Sequence, residues 1–170
     1  GDKAKIGDAT SEMGSNLGAI SSGTGRTVKQ VTAGSNHTCA LLDNNQVKCW
    51  GDNQYGQLGL GNNTSQGTAT EQMGDSLNSI SLGAGRTAKQ IAAGGNHSCA
   101  ILDNNQVKCW GNNQYGQLGL GDSSTGKNQV GDEADEMGDK LATVQLAETV
   151  VALSLGLNHS CALLRDHSVQ

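Results

Sequence analysis

The chain has no proline and no phenylalanine, and its only aromatic residues are Trp50, Trp110, Tyr55 and Tyr115. An aromatic core is excluded. The core must come from Val, Ile, Leu and Ala, and the tight turns fall to 25 glycines and to Asp and Asn. Basic charge is scarce as well: 11 Lys and Arg stand against 16 Asp and Glu, a net charge of −5. With no basic stripe, no nucleic-acid partner is expected. No apolar run approaches the roughly 18 residues that a membrane span needs. The longest, Thr149 to Leu157, contains Ser154 and is strand-sized, so no membrane insertion is expected. No secretory leader opens the chain, as in a mature or internal piece of a protein.

What the sequence does have is repetition. Residues 34–61 read GSNHTCALLDNNQVKCWGDNQYGQLGLG, and residues 94–121 read GGNHSCAILDNNQVKCWGNNQYGQLGLG. A third copy begins at Gly156 as GLNHSCALLRDHSVQ. His37, His97 and His159 mark the register, with steps of 60 and 62 residues. A period this long, with strands inside it, means stacked supersecondary units. Cys39 is followed after ten residues by Cys49, and Cys99 by Cys109. The counterpart for Cys161 is expected at the position after Gln170, so the sequence reads as part of a longer array.

Each period has a stereotyped module, Gly25 to Leu60 and Gly85 to Leu120, and a polar connector, residues 61–84 and 121–146. The expected organisation is a connector over 1–24, a repeat with its connector over 25–84, a second over 85–146 and a shortened third over 147–170. The connectors share a landmark: Glu12-Met13-Gly14, Gln72-Met73-Gly74 and Glu136-Met137-Gly138. Each landmark precedes a short apolar stretch, at Ile20, Ile80 and Val144, that would supply a further strand over the packed Met and Leu.

Within the module, Thr27-Val28-Lys29-Gln30-Val31 alternates and predicts a strand that Gly34 ends. His37 to Leu42 and Gln46 to Trp50 flank Asp43-Asn44-Asn45, which predicts a hairpin. Gly51 to Gly61 is a turn-rich return. Counting a strand from the connector, each period has about four strands, the size of one propeller blade. The expected fold class is all-β, with about 2.7 blades of roughly 60 residues.

A three-residue hairpin loop sets Leu41 opposite Val47 and Cys39 opposite Cys49, and the second copy does the same with Cys99 and Cys109. Directly opposed cysteines are within disulfide range. Such pairs suggest an oxidising compartment, and each would contribute about 2–3 kcal/mol at most. The alternative is reduced cysteines buried as small apolar residues.

The string G-x-x-H-[TS]-C-A-[LI]-L followed by V-K-C-W-G-x-N-x-x-G-Q-L-G-x-G resembles the repeat of the regulator of chromosome condensation family. It is carried here by Gly34, His37, Thr38, Cys39, Ala40, Leu41 and Leu42, then by Val47, Trp50, Gly51, Asn53, Gly56, Gln57, Leu58, Gly59 and Gly61. It recurs from Gly94 to Gly121, with Trp110, Gly111 and Gly116, and its first half recurs from Gly156 to Leu164. The resemblance implies blades of a seven-bladed β-propeller. The cysteine pair is similar to versions in secreted or surface members. Members of the family include exchange factors for the Ran GTPase, an inhibitor of β-lactamases, a plant light sensor and domains of larger signalling proteins.

His37, Cys39 and Cys49, with His97, Cys99 and Cys109, form an H-x-C…C set suited to zinc. No C-x-x-C knuckle accompanies it, which favours a disulfide plus a hydrogen-bonded structural histidine. Because the same residues recur in each unit, they point to architecture rather than to a catalytic Cys–His pair. No phosphate loop or dinucleotide fingerprint is present, and no cofactor is called for. Asp132-Glu133-Ala134-Asp135-Glu136, with Asp139, is rich in oxygen ligands but lacks calcium-loop spacing. Asn62 and Asn63 are glycosylation candidates. Tyr55 and Tyr115, in N-Q-Y-G-Q loops, are candidate partner contacts.

The reading is a non-enzymatic, disulfide-stapled propeller segment of a secreted or cell-surface protein. It would bind a protein partner or assemble with itself. The alternatives are an intracellular regulator with guanine-nucleotide-exchange-like activity on a small GTPase, and a structural unit of an extracellular filament.

Overall fold

Short runs rich in Val, Ile, Leu and Ala, most of them bounded by glycine or an Asp-Asn-Asn turn, form the strands of this chain. A computed structural model describes residues 14–121 and 127–170. Among these, every regular element is a strand or a single 3-10 turn. The first sheet has β1 (Val28–Ala33), β2 (His37–Leu42) and β3 (Val47–Gly51), in that order. The second has β4 (Ala88–Ala93), β5 (His97–Leu102) and β6 (Val107–Asn112), with β7 (Gln129–Val130) and β8 (Thr143–Val144) beside β6. The third pairs β9 (Val150–Leu155) with β10 (Ser160–Leu164). All strand pairings are antiparallel.

The hairpin register follows the three-residue loop. Leu41 stands opposite Val47 and Cys39 opposite Cys49, and Ile101 and Cys99 stand opposite Val107 and Cys109. Asn45 and Asn105 take the left-handed backbone, at φ 65° and 67°, and close the turn.

The connector strand differs from the expected single strand. In the second sheet the fourth position is split: β8 lies along the Val107 end of β6 and β7 along the Gly111 end. In the first sheet it is reduced to one bond from the Ile80 amide to the Val47 carbonyl and a bridge between Gly51 and Gln66. Ile20, expected to belong to such a strand, is exposed. The reason is the connector's polarity and its left-handed glycines, which break an edge strand into pieces. Glu12 and Met13 of the first landmark, and residues 122–126 of the second connector, lie outside the described residues.

The landmarks do a different job from strand support. Gly74 and Gly138, at φ +64° and +69°, each open a 3-10 turn, Gly74–Ser76 and Gly138–Lys140. That turn aims the glycine carbonyl at a lysine. Lys48 Nζ donates to the Gly74 carbonyl at 2.7 Å and to Ser22 at 3.3 Å. Lys108 Nζ donates to Gly138 at 2.7 Å and to Leu82 at 2.9 Å. Each lysine is the second residue of its strand and is buried. The next residue of the turn ties the connector back to the start of its own module: Asp75 accepts from Thr24, and Asp139 accepts from the Ala84 amide.

The three sheets stack face to face, and the middle one is buried on both sides. Every residue of β5 and β6 is buried. β1 (VKQVTA) is mostly exposed and has no buried residue, whereas three residues of its counterpart β4 (AKQIAA) are buried. Position in the stack decides this, because each face is covered only by a neighbour.

Replacing Lys108 by methionine (Lys108→Met) leaves the Gly138 and Leu82 carbonyls without their donor in a buried site. The expected cost is about 1–3 kcal/mol, read as a lowered urea midpoint with an unchanged slope.

Candidate functional site

The recurrent histidines sit where one sheet meets the next. His37 and His97 are buried, at 3% and 0% exposure. His37 Nε2 lies 2.9 Å from Ser98 Oγ, and that hydroxyl donates to the Gln57 carbonyl at 3.1 Å. Because the serine proton is committed to Gln57, Nε2 must carry the imidazole proton and donate. The next step repeats the relay: His97 Nε2 lies 2.9 Å from Ser160 Oγ, which donates to the Gln117 carbonyl at 2.8 Å. Nδ1 of both rings is buried without a hydrogen-bond partner. Burial lowers both imidazoles from 6.5 to about 4, against a smaller raising effect of Asp52 on His37. Gly34, Gly94 and Gly156 lie flat on the rings of His37, His97 and His159, so a Cβ at any of them would overlap the imidazole. His159 itself is exposed.

Beside each relay lies a disulfide. Cys39 bonds Cys49 and Cys99 bonds Cys109, each pair with Cα atoms 4.1 Å apart. All four are buried, and Cys161 is a half-buried free thiol. Trp110 closes the same interface. It is fully buried, and its Nε1–H donates to the Gln57 carbonyl at 3.0 Å. Gly59 must lack a side chain because a Cβ there would stand 2.8 Å from Trp110 Nε1. Trp50, the counterpart in the first sheet, is half-buried with no hydrogen bond to its indole among the described residues. Gly51 and Gly111, at φ +111° and +104°, pass so close to the Asn36 and Asn96 carbonyls that no side chain fits. Gly56 and Gly116, at φ +74° and +76°, turn the return loop.

The remaining candidates are on loops. Gln57 and Gln117 cap the Tyr55 and Tyr115 amides through Oε1 at 2.8 and 2.9 Å, which holds the N-Q-Y-G-Q loop. Tyr55 is half-buried, while Tyr115 is 67% exposed. Asn62 uses its side chain inside the loop, accepting from the Thr64 amide at 2.9 Å and from Asn53. Asn63 is exposed.

The acidic connector is internally satisfied. Glu136 accepts from the Gly131, Asp132 and Glu133 amides and from Lys127. Burial raises its carboxyl, and the bonds from Lys127 and the amides outweigh this and hold it below the ordinary range. Among the described residues, no group of three or more His, Cys, Asp or Glu is placed to hold a metal ion.

Sequence reasoning missed three participants: the buried Lys48 and Lys108, the acceptor carbonyls of Gln57 and Gln117, and the relay hydroxyls of Ser98 and Ser160. Their signal was invariance between copies at positions that looked polar and solvent-facing.

The lowered imidazole values carry a pH dependence. An imidazole that resists protonation in the folded state stabilises it in full above about pH 6.5, and that contribution is lost as pH falls toward about 4. Urea midpoints are expected to drop across this window, and the drop should shrink in a His37→Gln/His97→Gln double variant. Ser98→Ala strands the His37 Nε2–H inside the interface. Its expected cost is about 1–3 kcal/mol, read by the same titration at neutral pH.

Two family models described as "Regulator of chromosome condensation (RCC1) repeat" match, one at residues 28–57 and 88–117 and the other at residues 44–101. The probable E3 ubiquitin-protein ligase HERC4 of Homo sapiens is 32% identical over 142 residues, which is 84% of this chain and 12% of the ligase. The ultraviolet-B receptor UVR8 of Arabidopsis thaliana is 39% identical over 97 residues, 56% of this chain and 20% of the receptor. The chain thus spans a small part of the curated relatives it matches. Among solved structures, Prp20p from Saccharomyces cerevisiae superposes with a TM-score of 0.62 at 26% identity, covering 86% of this chain and 30% of that one. Human WBSCR16 superposes with a TM-score of 0.59 at 22% identity, a likeness of fold alone, over 81% of this chain and 31% of that one. Taken with the matches that jointly run from residue 28 to residue 117, these findings establish that the chain belongs to the regulator of chromosome condensation (RCC1) repeat family and that its sheets are blades of a β-propeller.

Proposed function

We propose that this chain is a non-enzymatic scaffold segment of a secreted or cell-surface protein, presenting propeller loops to a protein partner. The observation that carries the reading is where the reactive side chains go. His37, His97 and Trp110 are spent on holding one blade against the next, and all four paired cysteines on stapling the hairpin within a blade. They recur from repeat to repeat and do not make the single, asymmetric set that catalysis requires. What differs between repeats, and so is available for recognition, is the connectors and loop positions such as the exposed Tyr115. The paired disulfides support an oxidising compartment. No helix among the described residues is long and apolar enough to cross a membrane.

A protein partner fits a relative: the Prp20p structure was described together with that protein's binding properties to Gsp1p and histones. The second reading offered by the family resemblance is an exchange-factor-like action on a small GTPase.

Two measurements separate the readings. Alkylating thiols in the native source before lysis should leave Cys39, Cys49, Cys99 and Cys109 unlabelled, and labelling of all four would overturn the oxidising-compartment reading. Adding the chain to a Ran-type GTPase loaded with fluorescent GDP should leave the rate of nucleotide release unchanged. Acceleration would instead establish the regulator.

A further inference from the structure

A groove of about 470 Å³ runs along the seam between the first and second repeats, within the range of roughly 300–1,000 Å³ usual for small-molecule sites. One wall is the return loop and connector of the first repeat, residues 59–62, 66, 76–79 and 81, and the other is Ala134 and Met137 of the second connector. Strands β1 to β3 precede these walls and β9 and β10 follow them, so the groove is formed wholly inside the described repeats. The groove adjoins the place where the connector strand is interrupted. In the second sheet the connector lies along β6 as β7 and β8. In the first it meets β3 only through the Gly51–Gln66 bridge and the bond from the Ile80 amide to the Val47 carbonyl. Gln66 and the neighbours of Ile80 line the groove.

The lining is mostly polar and contains no charged side chain. The side chains of Gln66, Ser76, Asn78 and Ser81 make no hydrogen bond to the protein among the described residues, and Ser79 makes a single long one, 3.4 Å to Gln46. Their amides and hydroxyls can both donate and accept. Leu60 and Met137 add an apolar strip to the same groove.

The repeat architecture does not ask for these residues. Counted from the shared Met-Gly landmark, Ser76 and Asn78 fall where the second connector has Lys140 and Ala142, and where the first landmark is followed by Asn16 and Gly18. Leu77, between them, recurs as Leu17 and Leu141. The position that packs is kept from copy to copy, and the two that face the groove are not.

We infer that this groove is a binding site for a neutral saccharide. A sugar ring carries hydroxyls that donate and accept, together with an apolar C–H face. The groove offers uncharged amides and hydroxyls beside Leu60 and Met137, which complement both. An acidic or phosphorylated ligand would lose its hydration there and meet no cation in the lining. The site is separate from the Tyr115 loop and does not rest on the reading of the chain as a scaffold for a protein partner.

The test titrates the whole chain, isotopically labelled for amide NMR, with glucose, galactose, mannose, N-acetylglucosamine, maltose and cellobiose in turn. Glucuronic acid and N-acetylglycinamide are the comparison ligands. At least one of the neutral sugars is expected to give saturable shifts centred on the amides of Gly61, Gln66 and Asn78, with glucuronic acid binding more weakly than that sugar. A Ser76→Lys/Asn78→Ala variant gives the groove the residues that the second connector carries at the same positions. Its affinity should fall on the order of tenfold or more, with a urea midpoint close to that of the unaltered chain. Asn78→Ala alone changes only an exposed side chain, and it should weaken binding about threefold or more, which keeps the test decisive if the double variant does not fold. Absence of saturable shifts with every neutral sugar would overturn the proposal, as would shifts that saturate elsewhere on the chain or an unchanged affinity in the folded variants. Saturation by N-acetylglycinamide but by none of the sugars would assign the groove to the main chain of a polypeptide instead, and would overturn it too.

Discussion

A blade of this chain has two apolar faces and no means of covering either by itself. Covering those faces is the constraint on which the other features depend. A sheet of three or four short strands, built from Val, Leu, Ile, Ala and Cys, gains stability only when a second sheet lies on it. The side chains at the contact are correspondingly specific. A buried imidazole donates to a hydroxyl, the hydroxyl donates to a loop carbonyl, and an indole donates to the same carbonyl. Each polar group carried into the interface by an apolar strand meets its partner there, Nδ1 of the two histidines excepted.

The same constraint explains why the glycines are where they are. Gly34 and Gly94 make room for the imidazole rings, and Gly59 makes room for the indole. The left-handed Gly74 and Gly138 serve a different purpose, turning carbonyls inward to receive buried lysines. Two ends of one blade are thereby fixed by two kinds of bond. The relay ties it to its neighbour, and the lysine ties its own connector against its strands. Gln30 adds a third tie, its side-chain amide bonding both main-chain groups of Ile91 in the next sheet at 2.8 and 3.1 Å.

Functional inference follows from what this leaves over. Residues that look reactive in sequence, the H-x-C…C set above all, are consumed by packing, and the acidic connector closes on its own amides through Glu136. Surface variation lies in loops of unequal length on a constant frame, the arrangement expected of recognition rather than chemistry.

The repeat, its register and the hairpin pairing were legible in the sequence because they rest on local rules. Alternation sets the strands, Asp-Asn-Asn sets the turn, and a three-residue loop places Cys39 across from Cys49 and Cys99 across from Cys109. Not legible was anything that depends on the neighbouring blade. VKQVTA and AKQIAA occupy the same place in their repeats, yet the first has no buried residue and the second has three, because only the second lies between two sheets. Lys48 and Lys108 read as solvent-facing strand residues, and only the tertiary structure brings Gly74 and Gly138 over them. The expected connector strand became two fragments in one sheet and one bond plus an isolated bridge in the other, since left-handed glycines and polar connectors compete with edge pairing. Sequence by itself determined what each unit is, because strand, turn and disulfide spacing are properties of adjacent residues. Tertiary structure decided which face each residue shows and which polar groups meet, because those depend on the sheet packed against it.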